Sequence, residues 1–185
     1  MPQDTPSSPS KMFEMAVQTR NFEIELFWKR SLFFWGFISV AFAAYASFRT
    51  HIPELAILFV CFGVVCSCAW TLLNRGSKYW QESWEQKVGE LASTEAEKHL
   101  FSKEEDVMEK GFWLKARKYS VSKLVIALSD YICLLWLFLL IAETFNYFAP
   151  ELIQKLKSLG VVAIIVLTAI FVTLILTGTG KSQDK

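Results

Sequence analysis

The chain of 185 residues carries 19 Lys and Arg against 18 Asp and Glu, a formal net charge of +1, which argues against a nucleic-acid binder whose affinity would rest on many cationic contacts to phosphate. Apolar residues make up 53% of it, above the roughly 45–50% of soluble domains, and mean hydropathy is +0.32. Charges are absent from four stretches, 32–48, 55–73, 124–142 and 158–180, save for Asp130. Each has the roughly 17–25 residues that a membrane-spanning helix needs, which excludes a soluble globular domain and a secreted disulfide scaffold.

In chain order, residues 1–10 hold three Pro and three Ser and read as a disordered lead. From Lys11 the pattern turns helical. Phe22, Leu26 and Arg30 at successive fourth positions make 11–31 an amphipathic juxtamembrane helix, expected to lie along the membrane surface before turning into span one. Spans one and two, 32–73, form a transmembrane hairpin. Ala44-Tyr45-Ala46 mimics a signal-peptide cleavage site, but the long polar lead and the second span close behind it argue for a retained helix.

Residues 74–120 read as a helical hairpin outside the membrane. Segment 74–119 contains nine basic and nine acidic residues, so a lipid-binding polybasic patch is not its main design. Asn74-Arg75-Gly76 looks like the end of span two, with Gly76 as a left-handed cap. Ser77 then caps a new helix whose apolar residues Trp80, Trp84, Val88 and Leu91 recur at helical spacing. A break is expected near Ser93 and Thr94, and Ser102 with Glu105 forms a capping box that opens a second helix to about Lys118. Residues 121–180 form a second transmembrane hairpin, spans three and four, and 181–185 are a tail.

Orientation follows from the basic residues. Segments 1–31, 74–119 and 181–185 hold fifteen Lys and Arg, whereas the short opposite loops hold only Arg49, Lys155 and Lys157. The positive-inside rule therefore places both termini and the 74–120 hairpin in the cytoplasm. Trp28, Trp70 and Trp113 fall near the inner boundary, and Tyr45 and Tyr147 near the outer one, as aromatic anchors do.

Few residues carry chemistry. Asp130 is the ionisable residue set well inside a span, where a charge at the centre costs at least about 2.5–3.5 kcal/mol and so needs a partner or a use. Either it lines an aqueous path, or it is hydrogen-bonded at similar depth to Ser67, Thr71 or Trp70. Glu143, at the outer end of span three, reads as interfacial. Cys61, Cys66, Cys68 and Cys133 lie within spans, where thiols pack as small apolar groups. Cys66-Ser67-Cys68 is no metal pair, because residues two apart on a helix point to different sides. His51 and His99 have no ligand cluster around them. Gly178-Thr179-Gly180-Lys181-Ser182 resembles the end of a phosphate-binding loop, but Ile175 stands where the first glycine belongs and no strand precedes it. No catalytic residues, cofactor or metal site is expected, and the protein reads as no enzyme.

Helix packing in lipid favours small residues at fourth positions, and two stripes supply them: Ser39, Ala43 and Ser47 in span one, and Gly63, Ser67 and Thr71 in span two. Packing within one bundle and packing between chains account for these stripes equally well. Trp80 and Trp84, one turn apart and flanked by Lys78, Glu82 and Glu85, suit a subunit contact, a seat on the bilayer, or packing on the same chain's second hairpin helix.

Glu25-Leu26-Phe27-Trp28-Lys29-Arg30-Ser31 before span one, Asn74-Arg75-Gly76-Ser77-Lys78-Tyr79-Trp80-Gln81-Glu82 with Trp84-Glu85 after span two, and Lys118-Tyr119-Ser120-Val121-Ser122-Lys123 before span three are similar to the RipA-like octameric membrane proteins of bacteria. The resemblance runs from about Met12 to Ala142 and is most specific in the tryptophan-rich segment. It implies an inner-membrane protein assembling as a homo-octamer, linked to stress or host adaptation, with no settled biochemical activity. The expected fold is an all-α four-span bundle with a cytoplasmic helical hairpin, acting as a non-enzymatic ring. The alternatives are an oligomeric pore with Asp130 near its path, and an adaptor that recruits a cytoplasmic protein through the hairpin. Expected partners are the lipid bilayer and further copies of the chain. Interface candidates are Trp28, Lys29, Arg30, Tyr79, Trp80, Trp84, Glu85, Ser39, Ala43, Ser47, Gly63 and Ser67.

Overall fold

The computed structural model describes residues 9–92 and 120–178. They form four α-helices, α1 (Pro9–Phe48), α2 (Pro53–Leu91), α3 (Val121–Phe148) and α4 (Pro150–Gly178), with no strand among the described residues. Each contains a segment long and apolar enough to cross a membrane. The expected second helix of the 74–120 hairpin and its capping box lie outside the described residues.

Two helices run further than their apolar stretches. With 40 and 39 residues, α1 and α2 are each about 60 Å long at 1.5 Å per residue, about twice the hydrocarbon thickness. No turn separates the amphipathic 11–31 stretch from span one. Gly76 lies inside α2 with no positive φ, so the left-handed cap there and the fresh start at Ser77 do not occur. A glycine within a helix costs only about 1 kcal/mol, which the full burial of Val88 further along α2, at about 1.5–3 kcal/mol, outweighs.

Contacts divide the described chain into two units. In the first, made of α1 up to Lys29 and α2 from Gly76, Ala16 and Val88 are buried, and Arg20 meets Glu85 at 3.7 Å across the two helices. The second comprises Arg30–Arg75 with α3 and α4. Its core has two layers: Ala41, Tyr45, Ala56, Val60 and Trp136 in one, and Ile38, Cys66 and Trp70 in the other, with Phe42 and Ile132 packed against both.

Short connections fix the helix order of this unit. Between α1 and α2 the Ile52 N–H donates to the Phe48 carbonyl at 2.8 Å, and Pro53, which has no N–H to satisfy, opens α2. At the start of α3 the Ser120 hydroxyl accepts the Lys123 N–H at 3.5 Å. Ala149 alone separates α3 from α4, its N–H donating to the Phe145 carbonyl at 2.7 Å. No described side chain of α4 is fully buried; the helix packs on α3, where the Tyr131 and Thr168 hydroxyls lie 2.9 Å apart and Tyr131 meets the Phe171 ring.

Candidate functional site

Hydrocarbon offers no hydrogen bonds, so every polar group in a span needs an internal partner. The hydroxyls of Ser47, Ser67, Ser129, Thr144, Thr168, Thr173 and Thr177 return to carbonyls of their own helices three or four residues back. Charged groups are instead paired between helices, at both ends of the bundle.

At one end Arg75 Nη1 and Nη2 donate to the two carboxylate oxygens of Asp130, each at 2.8 Å. This two-pronged geometry is the strongest form of the ion pair and joins α2 to α3. None of the partners expected for Asp130 binds it: Ser67 donates to the Val64 carbonyl and Trp70 Nε1 to the Ser31 hydroxyl at 3.5 Å, while Thr71 Oγ1 has no partner. Arg75 stands two residues beyond the charge-free stretch, and its long side chain spans the distance to Asp130.

At the other end, near the end of α3, Glu143 is buried at 8% exposure. Its Oε1 accepts the Tyr45 hydroxyl at 2.6 Å and the Arg49 guanidinium at 3.0 Å, joining α3 to α1. Arg49 also stands over the Tyr45 ring, 5.7 Å from its centroid. Burial of a carboxylate requires this double satisfaction.

Between the two ion pairs Trp136 is fully buried, stacked on Phe42 at 4.1 Å between centroids and edge-on to Tyr45 at 6.5 Å. Its indole ring occupies the space beside Gly63 in which a Cβ would sit. Gly63 and Ser67 are thus buried within one chain. Ser39, Ala43 and Ser47 form an exposed line on α1, beside the exposed Phe33, Trp35 and Phe37.

The remaining candidates sit on the first unit or at its edge. Trp28 is exposed and edge-on to Phe27, Lys29 pairs with Glu25 at 2.7 Å, and Arg30 is half-buried. Tyr79 and Trp80 are exposed and edge-on to each other, Glu85 holds Arg20, and Trp84 is half-buried beneath Lys87, whose Nζ lies 4.3 Å from its ring centroid. Trp80 and Trp84 therefore differ in their surroundings although they are one turn apart. Among the described residues no group of three or more His, Cys, Asp or Glu side chains converges to hold a metal ion.

Four apolar helices with charges paired at both ends of the bundle and seven hydroxyls turned back on the backbone define an integral membrane protein of the α-helical class. The profile of the octameric membrane protein family (8xMP) matches residues 11–145, and the chain belongs to that family. α4 lies beyond the matched residues. No curated protein and no solved structure matches the chain.

Proposed function

We propose that the protein is a non-enzymatic, ring-forming homo-octamer of the bacterial inner membrane, with both termini and the 74–120 segment in the cytoplasm, serving stress or host adaptation. Family membership supports self-association. The outward line of Ser39, Ala43 and Ser47 is the surface on which a neighbouring copy packs, because small side chains let two backbones approach closely where lipid supplies no hydrophobic drive. The basic-residue asymmetry supports the orientation.

The observation that carries a structural role rather than a conducting one is the Asp130 carboxylate, both of whose oxygens are bound by Arg75 of the same chain. A carboxylate so engaged ties two helices together and offers no free charge to an ion path. Liposomes containing the purified assembly should therefore show no ion flux above protein-free liposomes, and Asp130→Asn should leave that unchanged. Flux that depends on Asp130 would replace this reading with the pore.

The exposed Tyr79 and Trp80 favour a second reading, an adaptor that offers the 74–120 segment to a cytoplasmic protein. Replacing Trp80 and Trp84 by Ala separates the two. Loss of the large complex with membrane insertion retained assigns the tryptophans to a subunit contact, whereas a full-sized complex leaves their surface to a partner.

A further inference from the structure

The sulfurs of Cys68 on α2 and Cys133 on α3 lie 3.3 Å apart, a direct contact in which either thiol can donate a hydrogen bond to the other. Both residues are half-buried, and both are free thiols, as are the buried Cys66 and the exposed Cys61. The pair stands between two contacts that set the register of the same helices. On one side, one to two turns away, Arg75 grips Asp130 through two hydrogen bonds; on the other, one turn away, the Trp136 ring fills the space beside Gly63. The thiols are thus held opposite each other by interactions that do not involve sulfur. A disulfide needs its sulfurs at about 2.05 Å, so about 1.3 Å of further approach from their 3.3 Å separation completes one.

We propose that Cys68 and Cys133 are a two-electron redox couple whose oxidised form is a disulfide joining α2 to α3, with a lipid-soluble quinone as the electron acceptor. Both thiols lie in charge-free stretches of the chain, 55–73 and 124–142 apart from Asp130, where an acceptor must dissolve in hydrocarbon to reach them. One Sγ adds to a ring carbon of the quinone and its proton passes to a quinone oxygen. The second Sγ then attacks the first sulfur, forming the S–S bond and breaking the S–C bond; the electron pair of that bond goes to the ring, and the second thiol proton goes to the other oxygen. Two thiols and one quinone become one disulfide and one quinol. Oxidation would add a covalent tie to a helix pair otherwise held by an ion pair and packing.

The purified assembly in detergent, kept free of oxygen, is treated with decylubiquinone, denatured, and labelled with a maleimide-polyethylene glycol that adds one mass step per free thiol. The reduced chain takes four labels; after quinone it should take two, with one quinol formed per chain by absorbance and the bond placed at Cys68 and Cys133 by peptide mass spectrometry. Cys61→Ser should fall from three labels to one. Cys68→Ser and Cys133→Ser should each keep three, with assembly size unchanged. Four labels after quinone would overturn the proposal, as would label loss that persists in Cys68→Ser or Cys133→Ser, or a bond that links two chains on a non-reducing gel. Bond formation with diamide but not with the quinone would also overturn it, because the pair would then lack the assigned acceptor.

Discussion

At Gly63 a single hydrogen stands where any other residue would place a carbon, and the Trp136 indole uses that space. Overpacking a well-filled core costs about 1–3 kcal/mol, so Gly63→Ala should lower the thermal midpoint in detergent by that equivalent. Gly76 has no atom near the position a Cβ would take, and Gly76→Ala should instead stabilise by about 0.5–1 kcal/mol, the ordinary glycine penalty within a helix. If Gly76→Ala destabilised, the helix would require a glycine conformation there and the unbroken α2 would be wrong. For Arg75 and Asp130, the singles Arg75→Gln and Asp130→Asn and their double form a cycle. A shared network predicts a coupling of about 0.5–3 kcal/mol in unfolding free energy, and additive effects would mean that the pair does not exist in the membrane. Arg75 is half-exposed, and screening by water at the bundle end would bring the value toward the lower limit.

At the scale of helices, the four spans were legible because a charge-free run of membrane length is too apolar for the surface of a soluble fold and too long for most of its buried helices. The end of α2 was not. Gly76 and Ser77 together form a valid local stop and start, but Val88 beyond them is fully buried, and that burial outweighs a local signal. The partner of Asp130 was hidden because Arg75 falls among the basic residues of segment 74–119, and no spacing links it to a residue 55 positions away. The stripe through Gly63 was visible as a pattern, but spacing cannot say which side chain fills it. Cys68 and Cys133 stand 65 positions apart, with no sequence signal to link them. For α4, the polar attachment to α3 is the contact between the Tyr131 and Thr168 hydroxyls. Tyr131→Phe or Thr168→Val should each cost on the order of 0.6 kcal/mol, the average for hydrogen bonds between helices in membranes. Protease accessibility of the α3–α4 connection at Ala149 should rise slightly, with no change in the α1–α3 bundle.

For the whole molecule, a bundle of three family-matched helices, paired in charge at both ends, presents an outward line of small residues on α1, the surface proposed for a neighbouring copy. Orientation is tested by reporter fusions after Pro53 and after Lys157. Both should report the side opposite the cytoplasm, and a cytoplasmic signal at either place would reverse the assignment drawn from the basic residues. The assembly itself is tested most directly by native mass spectrometry of the detergent-solubilised protein beside a variant carrying Ser39→Leu, Ala43→Leu and Ser47→Leu, with membrane insertion verified for both. The predicted result is a species at eight times the 21.2 kDa chain mass for the unaltered protein and smaller species for the variant. A variant that retains the full mass, or an unaltered protein found as a monomer, would contradict the account.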